Sequence, residues 1–179
     1  MLPGKLAVLF GEMEAVRGET LGIVSGLTEE EMYRGAAGSW SAAQILYHLL
    51  LAETGTSKVI RKAIKSAEGR LPSYPEDDSL LSVRELSAPV GSFQAPDLVR
   101  PDDPPGRNDL LRLARETRER TAESFSMLAA VDPRAARFPH PLYGELDLYE
   151  WPAVVILMHE KDHQGQLRAL AARLRGTPG

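Results

Sequence analysis

The chain has 179 residues, 43% hydrophobic and 26% charged, with a formal net charge of -4 and no cysteine. That length and balance fit one domain of ordinary soluble composition, and the charge gives no global attraction to nucleic acid or to an anionic membrane. The lack of cysteine excludes disulfides, thiolate metal sites and a cysteine nucleophile, so a bound metal must take imidazole nitrogens and oxygens as ligands.

The N-terminal apolar run is too short for a signal core, and AVVILM near the C-terminus falls far short of the roughly 20 residues that cross a bilayer. The expected compartment is the cytoplasm. A first helix is expected from about Lys5 to Leu27, with Leu6, Phe10, Met13, Val16 and Thr20 on one side. Gly11, Gly18 and Gly22 weaken it. Thr28 then precedes Glu29, Glu30 and Glu31, an N-cap with acids suited to a short helical turn.

The second helix carries stronger signals. Ser41 and Gln44 have capping-box spacing, and Trp40 stands where it can staple against Ile45. The helix should run to about Ala67, where Glu68-Gly69 ends it, with the inward seam Ser41, Ile45, His48, Ala52, Gly55 and Val59. Ala52 and Gly55 either leave room for a ligand beside His48 or allow close helix packing. Residues 69–107 hold seven of the thirteen prolines, which favour turns and extended chain. They read as a long crossover between two halves of one bundle, with a short helix over Ser82–Leu86 suggested by the spacing of Ser82 and Glu85.

A third helix from near Asn108 turns Leu110, Leu111, Ala114, Thr117, Thr121, Phe125 and Leu128 to the core. Its other face mixes Arg112, Arg115, Arg118 and Arg120 with glutamates, the pattern of a solvated face and not of a nucleic-acid stripe. The segment FPHPLYGELD reads as a loop. Asp147 and Glu150 have capping-box spacing for the last helix, but Pro152 then falls just past the first turn, so either the start is later or that turn is irregular. The helix ends at Arg173-Leu174-Arg175-Gly176.

On this last helix Ile156, His159, His163, Gln166 and Leu170 recur at spacings of three and four, so His159 and His163 share the face turned to neighbouring helices. Unpaired imidazoles in a core are costly; they need a shared partner, and a divalent metal is the first candidate. His48 also faces inward, where a hydrogen-bonded core histidine is the alternative reading.

Three features follow one another in order. A tryptophan precedes a helix with a histidine two turns in (SWSAAQILYHLLLAE), a glycine-containing loop opens the last helix (PLYGELDL), and an H-x-x-x-H segment ends in Gly-Gln-aliphatic (HEKDHQGQL). Together they resemble the DinB-like (DinB/YfiT-like) superfamily of metalloenzymes over most of the chain. Asp162 and Gln164 stand where that family often has a histidine and an arginine. The resemblance implies an all-α, up-and-down four-helix bundle over residues 1–179 with a metal held by His48, His159 and His163. It also implies a homodimer, zinc, nickel or another divalent ion, and chemistry such as thiol-dependent S-transfer or maleylpyruvate isomerisation with a low-molecular-weight thiol cosubstrate.

Three imidazoles leave coordination positions open for a small-molecule substrate, the mark of a catalytic rather than a structural site. A metal-activated thiol makes a transferase and a metal-activated water makes a hydrolase; a non-catalytic metal- or ligand-binding dimer is the third reading. Gln166 is a candidate to orient a ligand or substrate, against simple helix packing. Glu53 and Asp162 are candidate acceptors for imidazole N–H groups, against a position as surface or interface charges. Tyr143 and Tyr149 flank the approach and either line a pocket or only pack. His140, in the loop before the last helix, either approaches the open face of the site or is a solvated loop histidine, and the second is the preferred reading.

Overall fold

The computed structural model describes residues 1–35, 38–86 and 95–176. Its helices start and stop where local chemistry directs them. Helix α1 (Gly4–Ser25) buries Leu6, Leu9, Met13, Val16, Thr20 and Val24. The chain then turns through Thr28 into α2 (Glu29–Tyr33), capped by a reciprocal box in which Thr28 accepts from the Glu31 N–H and Glu31 accepts from the Thr28 N–H. Helix α3 (Ala42–Ser66) opens with the same device on Ser41 and Gln44, and it stops where Glu68 and Gly69 turn left-handed at φ 49° and 75°. Helix α4 spans Arg107–Leu128. Replacing Ser41 by alanine should cost about 1 kcal/mol in chemical denaturation, because the Gln44 N–H then loses its partner at a site closed to water.

The structure differs from the sequence reading at the hairpin and in the crossover, and it decides between the two alternatives left for the start of the last helix. First, FPHPLYGELD is not a loop. It forms the antiparallel strands β1 (Arg137–His140) and β2 (Gly144–Asp147), with Phe138 opposite Leu146 and His140 opposite Gly144. Gly144, at φ 67°, takes the left-handed position where the three-residue connection enters β2. Prolines 139 and 141 masked the strand signal, and a two-stranded edge tolerates them. Second, the last helix is irregular at its start. Asp147 and Glu150 cap each other reciprocally, and α5 (Glu150–Pro152) passes straight into a π-helical stretch (Ala153–Met158) and then α6 (His159–Leu174). Pro152 offers no N–H and crowds the carbonyl four residues back, and the wider turn that follows takes up the misfit.

Third, Ser82–Leu86 is not helical. Its groups are spent on tertiary contacts: the Arg84 N–H and guanidinium reach the Glu150 carboxylate, the guanidinium also bonds the Glu145 carbonyl, and Val83 and Leu86 pack against Leu146, Trp151 and Val154. The crossover otherwise holds a single 3₁₀ turn (Asp97–Val99) among its described residues; positions 87–94, including the Ala-Pro-Val of the crossover, lie outside them.

The four long helical rods form an up-and-down bundle in which α4 packs along α3, and α6 packs along α1 and against α3. Two apolar clusters fill its two ends. One gathers Val24, Leu46, Leu49, Leu50, Leu110 and Leu167; the other gathers Leu6, Met13, Ile60, Phe125, Leu148 and Ile156. Each fully buried side chain of this kind contributes about 1.5–3 kcal/mol. Between the two clusters lies a layer of buried polar side chains drawn from all four long helices. Arg17 and Thr20 come from α1, Glu53, Thr56 and Ser57 from α3, Thr117, Arg118 and Thr121 from α4, and Glu160 and Gln164 from α6, all buried.

Arg17 is the hub of that layer. It reaches Glu53 at 2.8 Å and Glu160 at 2.8 and 2.9 Å. Glu53 also accepts from Thr121 at 2.8 Å and lies 2.9 Å from Arg118 Nε, an ion-pair contact whose angle falls short of a hydrogen bond. Arg118 reaches Glu14 at 3.1 Å. Burial lowers the Arg17 pKa, but Glu53 and Glu160 more than offset it, so the guanidinium stays charged. Arg118 therefore does not belong to the solvated face of α4, and Glu53 is no surface charge: both are buried and answered by partners on other helices. No described helix is long and apolar enough to cross a membrane.

Candidate metal centre

The cap on Ser41 sets the phase of α3, and two turns in that phase points His48 at α6. There His159 and His163, one turn apart, complete a cluster. His48 Nε2 lies 3.1 Å from His159 Nε2, and His163 Nε2 lies 3.0 Å from the same atom. One ligand atom from each ring falls within 4.8 Å of the others. His48 is 5% and His163 9% exposed. Trp40 covers the cluster from outside, with ring centroids 4.8 Å from His48 and 6.2 Å from His163.

The far nitrogens decide what those near atoms can be. His48 Nδ1 is 2.7 Å from the Val99 carbonyl oxygen, which only accepts, so the proton sits on Nδ1 and Nε2 carries a lone pair. His163 Nδ1 meets Gln166 Oε1 at 3.0 Å, with the same consequence. Two Nε2 lone pairs are thus fixed toward His159 Nε2, which has at most one proton to share between them. Such a convergence of lone pairs is stabilised by a cation, and an outer acceptor on the non-ligating nitrogen is the usual way a metal-binding histidine is oriented. His159 Nδ1 is buried without a hydrogen-bond partner among the described residues; the Val155 carbonyl one turn back favours a proton there without reaching hydrogen-bond geometry.

The electrostatics agree with the geometry. Burial holds His48 and His163 below the ordinary histidine range, and burial together with the two neighbouring imidazoles takes His159 down to about 3. In the metal-free protein all three are therefore neutral at pH 7. The unfolded chain takes up protons near pH 6.5, before the folded protein does, so acid favours unfolding. Stability of metal-free protein should fall as pH drops from about 6.5 toward 3, by on the order of 4–5 kcal/mol through His159 alone. Urea titrations at pH 7, 5 and 4 after chelation measure this; a flat profile would mean that the three rings are not packed together as described.

The remaining candidates separate clearly. Gln166 is exposed and bonded to His163 as described. Glu53 is fully buried, with partners Arg17, Arg118 and Thr121 and no imidazole N–H among them. Asp162 is exposed on α6. Tyr143 sits on the hairpin, stacked on His140 with centroids 5.0 Å apart. His140 is not a solvated loop residue: it is half-buried at the end of β1 and packs edge-on to Trp151 at 5.1 Å. Tyr149 is half-buried against the second apolar cluster.

Sequence reasoning missed Glu160 and Arg17. Glu160 directly follows a candidate ligand, and its pairing with Arg17 ties the rotation of α6 to α1 and, through Glu53, to α3. Their only local signal is a charged residue at a core-facing helical position. On the outer side of Trp40 and Gln166 lies a cleft of about 390 Å³, also lined by Ser39, Ile45, Leu170 and Arg173.

A profile of the DinB superfamily matches residues 12–167. Among solved structures, the chain is similar to the crystal structure of TT2238, a four-helix bundle protein. The two share 21% identity over 92% of this chain and 99% of that one, with a TM-score of 0.63. At that identity the likeness establishes the fold. Comparison with curated proteins gave no match.

Proposed function

The chain belongs to the DinB superfamily, and on that footing we propose that it is a divalent-metal-dependent enzyme, a transferase that activates a low-molecular-weight thiol for attack on a small electrophile. The observation that carries the metal is the convergence of three imidazole Nε2 atoms whose outer nitrogens, on His48 and His163, are already committed to Val99 and Gln166. His48, His159 and His163 would hold the ion, zinc or nickel being the natural fits to an all-imidazole set. When bound, such an ion supplies the positive charge that brings the pKa of a thiol or a water toward neutrality.

The chain's own residues do the rest. The Val99 carbonyl and Gln166 hold two rings in the ligating tautomer. Trp40 shields them from bulk water. The substrate is placed along the seam from His48, where Ala52 and Gly55 carry the smallest side chains. With no cysteine in the chain, the thiol must come from a cosubstrate. A homodimer, as is typical of the family, belongs to the same reading.

The test is conjugation of a panel of small thiols to an electrophile such as 1-chloro-2,4-dinitrobenzene by zinc- or nickel-loaded protein. Conjugation that disappears on chelation and returns with metal is expected. No conjugation with any thiol, but metal-dependent hydrolysis of an ester, would replace the transferase reading with the hydrolase one.

A further inference from the structure

The metal reading leaves a second concave surface unused, the cleft of about 390 Å³ on the outer side of Trp40 and Gln166. One wall is apolar: Ile45 and Leu170 are each 3% exposed, and Trp40 beside them is half-buried. The other belongs to α6, where Gln166, Ala169, Leu170 and Arg173 follow at helical spacing on one face. Gln166 and Arg173 are two turns apart, roughly 10 Å along the axis, with the small Ala169 between them.

The strongest polar groups of the cleft are donors without acceptors. Gln166 spends its Oε1 on His163 Nδ1, which leaves the hydrogens of its amide nitrogen unclaimed. Among the described residues, every arginine but Arg115 and Arg173 reaches a carboxylate or a carbonyl oxygen. Arg115 borders the groove between α1 and α4, which has acids of its own in Glu14 and Glu119. No acid lines the cleft beside Arg173 among the described residues, so this cleft is locally positive in a chain of net charge -4.

One guanidinium answers one negative charge spread over two acceptor oxygens, which is a carboxylate. The apolar wall asks for a hydrophobic body behind it, and the open face of an indole suits an aromatic one. We propose that this cleft is a binding site for an elongate amphipathic monocarboxylate, its carboxylate on Arg173 and its apolar body against Trp40, Ile45 and Leu170. The assignment stands apart from the metal reading. Nothing in it requires an ion, and the cleft meets the three-histidine centre only through Trp40 and Gln166.

The test is NMR titration of ¹⁵N-labelled, chelator-treated protein with 4-phenylbutyrate and, separately, with the neutral 4-phenyl-1-butanol. The native protein should bind the carboxylate about fivefold more tightly, the upper scale of an ion pair open to water. Of the two indole N–H signals, assigned with Trp40→Phe, that of Trp40 should shift. That of Trp151, which donates to the Phe138 carbonyl at 3.2 Å, should stay in place. Arg173→Gln should bring the two probes within about twofold of each other. Arg168→Gln removes an exposed charge of the same helix that is already paired with Glu19, and it should leave the preference intact. Zinc-loaded protein should show the same preference as chelated protein.

No binding, equal binding of the two probes, or an unmoved Trp40 signal in the native protein would each overturn the assignment, and none of these needs a variant to fold. An undiminished preference in Arg173→Gln would overturn it as well. Binding of the carboxylate only to zinc-loaded protein would place the probe on the metal instead of in the cleft, and would support the three-histidine centre while sinking this site.

Discussion

On the proposed metal reading, His159→Ala is expected to abolish binding of zinc or nickel. His159 is the shared neighbour of the cluster, with its Nε2 at 3.1 Å from one ring and 3.0 Å from the other. Removing it leaves two imidazoles on different helices, and the loss of affinity should exceed the 10–100-fold typical of losing an outer hydrogen-bond partner. Metal at 100 times its dissociation constant stabilises the folded protein by about 2.7 kcal/mol. That raises the midpoint of a domain of this size by about 5–10 °C.

The native protein should show this rise with zinc, and His159→Ala should not. Gln166→Ala removes only the acceptor on His163 Nδ1 and should fall between the two. The metal-free variant has a second signature. Without the imidazole whose pKa is most depressed, it should lose less stability between pH 6.5 and 4 than metal-free native protein does. Retention of one ion per chain by His159→Ala would mean that the metal sits elsewhere.

Glu53→Ala should be among the most damaging substitutions in the chain. Glu53 is fully buried and stands between two guanidiniums, Arg17 and Arg118. Its removal leaves both cations in the bundle with Glu160 and the half-exposed Glu14 as their remaining partners. Breaking a buried ion pair on one side costs about 3–5 kcal/mol, because the surviving charge is desolvated and uncompensated. A fall of about 10 °C in the thermal midpoint follows for a protein of this length.

Taking both charges away is gentler. Arg17→Met with Glu160→Leu should destabilise by less than the sum of the two single changes, with a coupling of about 1–3 kcal/mol. The network joins all four long helices, so either single change should also loosen α6 and weaken metal binding about tenfold, although neither side chain hydrogen-bonds a histidine. A loss below about 1 kcal/mol for Glu53→Ala would mean that water already solvates the layer.

The local rules of helix formation carried most of the architecture from sequence alone. Ser41 with Gln44, and Thr28 with the acids that follow it, announced helix starts, Glu68-Gly69 and Gly176 announced ends, and each lies within a few residues of the observed boundary. These signals are legible because the interactions behind them close within four residues. The histidines were legible for the same reason: His159 and His163 are one turn apart, and His48 follows in phase from a strong cap.

What only the tertiary structure decided involves partners distant in the chain. Arg17 pairs with Glu160 across 143 positions and with Glu53 across 36, and Arg118 finds Glu53 across 65. On its own helix Arg118 falls on the buried side, four residues after Ala114 and three before Thr121, whereas Arg115 and Arg120 are exposed; the spacing marks the position, but only the partner Glu53 shows why a charge is tolerated there. Ser82–Leu86 has the spacing of a helix start but is not helical, because Arg84 is claimed by Glu150 and the hairpin. His140 looked like a loop histidine until β1 and β2 paired and set it between Tyr143 and Trp151. Sequence determined where helices begin, end and turn their apolar sides, since those preferences are local free energies. The folded chain determined which polar groups are buried together, since a buried charge is tolerated only where a partner from another helix arrives to meet it.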